Sequence, residues 1–120
     1  MNKTALAKIN KLKQQINHLG RKEGFVKIYP NNSYIHEKTK FDVCYILKQK
    51  GCYVYTECEF ISGGRPDIIC FNTIGDGYII EILNSESKKL FSNKLKKYPL
   101  DFEIIEIQAN DFKEEDLFFI

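Results

Sequence analysis

Apolar and polar positions recur along this chain in patterns that divide it into elements. From Asn2 to Leu19 the apolar residues Ala5, Ile9, Leu12, Ile16 and Leu19 are spaced four, three, four, three. That predicts one amphipathic helix with a narrow seam of coiled-coil type, closed by Gly20. Phe25 to Tyr29 is apolar enough for a short strand, and Pro30-Asn31-Asn32 is a loop. Ser33 is placed to cap a second helix from Tyr34 to Lys50, with Val43, Ile46 and Leu47, and Thr39 or Phe41, on its inward side and Gly51 after it. Tyr53 to Phe60 alternates, with Tyr53, Tyr55, Glu57 and Glu59 on one face and Val54, Thr56, Cys58 and Phe60 on the other. Pro66 cannot donate into a ladder, so the next strand starts at Asp67 and runs to Phe71. Gly75-Asp76-Gly77 turns the chain into a strand from Tyr78 to Leu83.

Asn84 to Ser87 is a cluster of capping residues that opens a third helix, with Leu90, Phe91, Leu95 and Tyr98 inward. Pro99 stops it, and Phe102 to Ile107 is the last strand. Leu117-Phe118-Phe119-Ile120 is too apolar to be left in water and should dock on the core or on a partner. The order, α-(β)-α-β-β-β-α-β, predicts an α/β domain with a mixed central sheet flanked by helices. At 120 residues the chain is one domain, residues 21–120, preceded by residues 1–20 as an amphipathic arm for packing or dimerisation.

Charge adds a polarity to this picture. The net value is only +2, yet Met1 to Lys27 holds seven basic residues against one acid, and Glu86 to Lys97 five against one. Pro99 to Ile120 reverses the sign, with seven acids against Lys113. Two basic segments can face phosphate, although each taken alone also fits a solvated helix face. Four cysteines, at 44, 52, 58 and 70, have no Cys-x-x-Cys spacing and lie away from His18 and His36, so buried free thiols are expected. No apolar run reaches membrane-spanning length, and the first twenty residues are lysine-rich without the form of a secretory leader. A cytoplasmic protein with no membrane partner is the expectation.

The candidate chemistry lies between Glu57 and Leu83, where three adjacent strands carry acids toward one neighbourhood. Pro66-Asp67 and, fourteen positions on, Glu81-Ile82-Leu83 resemble the motif of the PD-(D/E)xK nuclease superfamily, the restriction-endonuclease and Holliday-junction-resolvase group. The order of elements is also similar to that family's restriction-endonuclease-like core. The resemblance covers roughly Tyr34 to Ile107. It implies that Asp67 and Glu81 bind Mg²⁺ or Mn²⁺ with help from the carbonyl of Ile82, and that Glu37 on the upstream helix adds an acid. Glu57 or Glu59 could add a further ligand from its strand face. The chain departs from the family at the motif lysine, which is Leu83 here.

The implied activity is hydrolysis of phosphodiester bonds by a magnesium-dependent endonuclease. Its substrate would be DNA, structured or branched DNA included. Arg65, Lys88, Lys89, Lys94 and Lys97 are the expected nucleic-acid contacts. Lys38, Lys40, Lys94, Lys97 and Arg65 are candidates for the missing cation. Two alternatives stay open: a catalytically silent nucleic-acid-binding or assembly module of the same fold, and a partner protein whose acids are structural. A homodimer is expected from the first-helix seam and the apolar C-terminus.

Overall fold

The computed structural model describes residues 2–18, 22–84 and 95–120. Its centre is a mixed four-stranded sheet in the order β2-β4-β5-β6, formed by Tyr53–Thr56, Ile68–Phe71, Gly77–Leu83 and Glu103–Gln108. β2, β4 and β5 are antiparallel neighbours, and β6 returns parallel to β5. Every residue of β4 and β5 is buried, as their unbroken apolar runs lead one to expect of strands covered on both faces. The β4–β5 turn is built by Asn72, whose Oδ1 accepts from the backbone N–H of Ile74 at 3.1 Å and of Asp76 at 2.9 Å. Gly75 takes φ +93° in that turn, and a Cβ there would stand 2.7 Å from the carbonyl oxygen of Ala5.

One face of the sheet is covered by α2, Tyr34–Gln49. Ser33 caps this helix by accepting from the His36 N–H at 3.1 Å, as its position before the apolar stripe predicts. Val43, Cys44 and Leu47 of α2 pack with Val54, Ile68 and Ile80 of the sheet. The opposite face receives Ile9 of α1, Lys3–Lys13, which packs with Phe71, Ile79, Tyr98 and Phe102. All four cysteines are free and buried. Leu117 is buried in the second of two 3₁₀ turns and its carbonyl accepts from Lys50 Nζ at 2.5 Å, but Phe118 and Phe119 stay exposed. Among the described residues no helix is long and apolar enough to cross a membrane.

Three expected elements are corrected. The first helix ends at Lys13 rather than Leu19; the chain turns at Gln14 and Gln15, and Ile16–His18 becomes β1, paired antiparallel with β3, Glu59–Phe60. Ile16 is drawn off the helix because it sits opposite Phe60 and packs in the core cluster that holds Ile9. The strand expected from Tyr53 to Phe60 breaks at Glu57, which has φ +59° and so leaves the ladder. Phe25 to Tyr29 forms no strand; its backbone is tied to β2 by Thr56 Oγ1, which donates to the Phe25 carbonyl at 2.9 Å. Of the expected third helix, residues 85–94 lie outside the described residues, and Leu95 to Tyr98 closes in a turn.

Candidate functional site

β4 and β5 pair Ile68 with Ile80. Continuing that register past the last paired residues sets Asp67 opposite Glu81, Pro66 opposite Ile82 and Arg65 opposite Leu83. Residues directly opposite point to the same face, so the two carboxyl groups meet, and Glu81 hydrogen-bonds Asp67. Glu81 is only 1 % exposed, and the Tyr98 hydroxyl donates to its Oε1. Asp67 stands at the strand mouth and accepts from the Ile82 N–H at 2.8 Å. Proline offers no N–H to the carbonyl of Ile82 across the pair.

Asp67 also faces α2. His36 Nε2 lies 3.6 Å from Asp67 Oδ2, and His36 Nδ1 lies 3.1 Å from Glu37 Oε1. Burial works to push the Asp67 carboxyl up, but His36, the Ile82 N–H and Glu81 outweigh it and hold it below its ordinary 3.8. The His36 imidazole is raised above 6.5, chiefly by Asp67, against the opposing effect of its own burial.

Glu37 is a structural hub. Its Oε2 lies 2.7 Å from Lys40 Nζ and accepts from the Tyr29 N–H at 3.1 Å, while its Oε1 accepts from Asn32 Nδ2 at 2.8 Å. Burial acts to raise this carboxyl, yet the hydrogen bonds from Lys40, Asn32, Tyr29 and His36 bring it down from 4.5 to about 2. Lys40 is itself only 4 % exposed; it donates to the Lys27 carbonyl at 2.8 Å and sits 5.0 Å from the centre of the Tyr29 ring.

Asp67 opens into a cleft of about 470 Å³ whose walls include Tyr29, Lys40, Glu57, Glu59 and Arg65. Glu57 does not share a strand face with Glu59, since the break between β2 and β3 turns it aside. Its Oε1 accepts from the Tyr29 hydroxyl and lies 3.7 Å from Lys27 Nζ. Arg65 is exposed at the lip, 3.4 Å from Glu59. No family model, no curated protein and no solved structure matches this chain.

The structure thus joins Asp67 and Glu81, with Ile82 between them, and sets Glu37 one histidine away. Glu57 lines the same cleft but is held by Tyr29 and Lys27. Among the cations suggested for the missing lysine, Lys40 and Arg65 line this cleft. Lys38 is paired outside it with Asp42 at 2.9 Å, and Lys97 is exposed beside a separate groove with Gln14, Gln15 and Ile61. Lys88, Lys89 and Lys94 lie outside the described residues. Leu83 is buried on the Glu81 face of β5. Sequence reasoning missed Tyr98 and His36 as partners of the acid pair. The inward stripe pointed Tyr98 at the core without naming its partner, and nothing in the sequence around His36 set it against Asp67.

Among the described residues no group of three or more His, Cys, Asp or Glu side chains is arranged to hold a metal ion. A two-carboxylate donor set with one carbonyl nearby nevertheless suits Mg²⁺, which keeps several waters and completes its shell from substrate phosphate.

Proposed function

We propose that this domain is a metal-dependent nuclease that hydrolyses phosphodiester bonds in DNA. The observation that carries the reading is Asp67 on the wall of a cleft lined also by Lys40 and Arg65, with the Glu81 carboxyl buried beside it. The sheet is compatible with the reading: three antiparallel strands are followed by a fourth parallel to the third, an order similar to that of a restriction-endonuclease-like core. Asp67 and Glu81 would hold Mg²⁺ or Mn²⁺, with the Ile82 carbonyl beside them. When bound, the ion would supply an activated water and neutralise charge on the phosphoryl oxygens.

The chain's own residues do the rest. The Ile82 N–H and His36 fix the Asp67 carboxylate, so that little rearrangement is needed at the moment of reaction. Tyr98 holds Glu81 from below. Arg65 at the lip is free to approach a phosphate, and Lys40, anchored by Glu37, contributes a fixed positive charge to the wall.

One observation favours a second reading, a silent nucleic-acid-binding or assembly module: Leu83 puts buried apolar atoms where the motif lysine would stand. The experiment that separates the two is a cleavage assay with Mg²⁺ and with Mn²⁺ on branched, single-stranded and duplex DNA. The nuclease reading expects metal-dependent products that vanish in Asp67→Asn. Absence of cleavage on every substrate, with cleavage appearing in Leu83→Lys, assigns the silent module.

A further inference from the structure

The central sheet ends in β2 on one side and β6 on the other, and the chain closes only the first of these edges. At β2 the segment before α2 bonds to the outer edge. The Gly24 N–H donates to the Val54 carbonyl at 2.8 Å, and the Val54 N–H donates to Glu23 Oε2 at 2.9 Å. β6 pairs with β5 alone. Among the described residues no backbone group of Glu103–Gln108 bonds outside that ladder. In a strand with a neighbour on one side, every second residue turns its N–H and C=O outward. β6 therefore offers a row of unused donors and acceptors about 20 Å long.

We infer that the free edge of β6 takes an extended basic segment of another protein as an added strand. Charge selects the occupant. Glu103 and Glu106 are exposed, and among the described residues neither carboxylate has an ion pair or a hydrogen bond. The flanks carry the same sign: Asp101 precedes the strand, and Asp111, Glu114, Glu115 and Asp116 follow it with Lys113 alone against them. At the Glu103 end, Lys8 and Lys11 share a groove with Asp76, Asp101 and Glu103, and Lys8 is held by Asp76 at 2.7 Å. Lys96 and Lys97 line a different groove, with Gln14 and Ile61. Unpaired acids on an open edge keep a strand from pairing with copies of itself. A second copy would bring its own Glu103 and Glu106 to the seam, and a nucleic acid would bring phosphates; both are repelled. The same charges admit a strand of opposite sign.

Spacing defines the partner further. Glu103 and Glu106 are three positions apart, so they stand on opposite faces of the sheet. Residues directly opposite across an added strand lie side by side on one face. The incoming segment therefore needs lysine or arginine at every third position, with residues that favour a strand between them. The inference goes beyond the nuclease reading and does not rest on it, because β6 lies at the far end of the strand order from β2 and none of its residues lines the cleft of Asp67.

The test is fluorescence anisotropy of the whole chain with a labelled peptide of about nine residues, valine and threonine with lysine at every third position. This peptide should bind, and its counterpart with glutamate for lysine should not. Methylating every backbone nitrogen of the lysine peptide keeps its charge but blocks its edge, and should abolish binding. Glu103→Gln and Glu106→Gln should each weaken binding about fivefold. Glu103→Lys with Glu106→Lys should exchange the preference, so that the glutamate peptide binds instead. Both positions are exposed, so these variants should fold. Amide hydrogen exchange followed by NMR should show protection gained at alternate residues of β6 when the lysine peptide is added. No binding, equal binding of the methylated peptide, or protection that falls outside β6 would overturn the inference. So would a dimer whose β6 amides are already protected without peptide, since it assigns the edge to a second copy.

Discussion

Asp67 and Glu81 lie beside each other where β4 and β5 meet, with Asp67 turned to the cleft and Glu81 sealed beneath it. Asp67→Asn keeps the size of the side chain and removes its charge. Metal-dependent cleavage should fall by more than the hundredfold or so that even an outer-shell change can cost, while the urea midpoint moves little because the residue sits at a strand mouth. An unfolded Asp67→Asn protein would make the pair structural.

Tyr98→Phe removes the hydroxyl that donates to Glu81. A buried carboxyl then loses a donor, at a cost of about 1–3 kcal/mol. Urea unfolding measures this directly, and a loss below about 0.5 kcal/mol would mean that Glu81 finds another donor.

Glu37 gives the fold an acid limit. Its folded value is depressed from 4.5 to about 2, so the stability it contributes is fully present above 4.5 and is lost as pH falls toward 2. The contribution is on the order of 3 kcal/mol. Denaturant midpoints between pH 6 and 2, at roughly unit steps, should show this fall, and Glu37→Gln should flatten it.

His36 gives a limit of the opposite sign. Its folded value is raised above 6.5, so its contribution is present below 6.5 and disappears as pH climbs through the raised value. An NMR titration of the imidazole in EDTA should show the raised midpoint, and Asp67→Asn should bring it down. A midpoint unmoved by Asp67→Asn would break the proposed coupling.

Lys40 and Arg65 should separate cleanly. Lys40→Ala strips a buried partner from Glu37 and should cost about 3–5 kcal/mol in stability. Arg65→Ala, at an exposed lip, should leave stability within about 0.5 kcal/mol. It should weaken DNA binding and reduce its salt slope by about one. A salt slope unchanged by Arg65→Ala removes this residue from the interface.

The inner strands and α2 were legible because burial on both faces of the sheet leaves long apolar runs, and because Ser33 announces its helix. The extent of α1 was not: the seam from Ala5 to Leu19 continues through Ile16, whose pairing partner is Phe60, far along the chain. The break at Glu57 was equally hidden, since alternation of side chains carries no information about the sign of φ. For the site, Pro66-Asp67 and Glu81 were readable as a pair because they flank one strand turn. The partners of Glu37 were not, because Tyr29 and Asn32 lie in an irregular loop. Ala5 and Ile9, part of the seam that suggested a homodimer, are covered by the chain itself.

The parallel seating of β6 beside β5 carries a consequence for the order in which the molecule folds. β2, β4 and β5 form a meander whose longest connection is short, whereas β6 can pair only after the chain from Asn84 to Phe102 has closed. Closing that longer loop costs entropy before any ladder bond is gained. The meander, and Asp67 beside Glu81 with it, should therefore be assembled in the transition state while β6 is still adrift. Substitutions at Ile105 and Ile107 would then speed unfolding, whereas those at Ile69 and Ile79 would slow folding. Glu81 would meet water until the final step, when Tyr98 arrives ahead of the last strand to close over it.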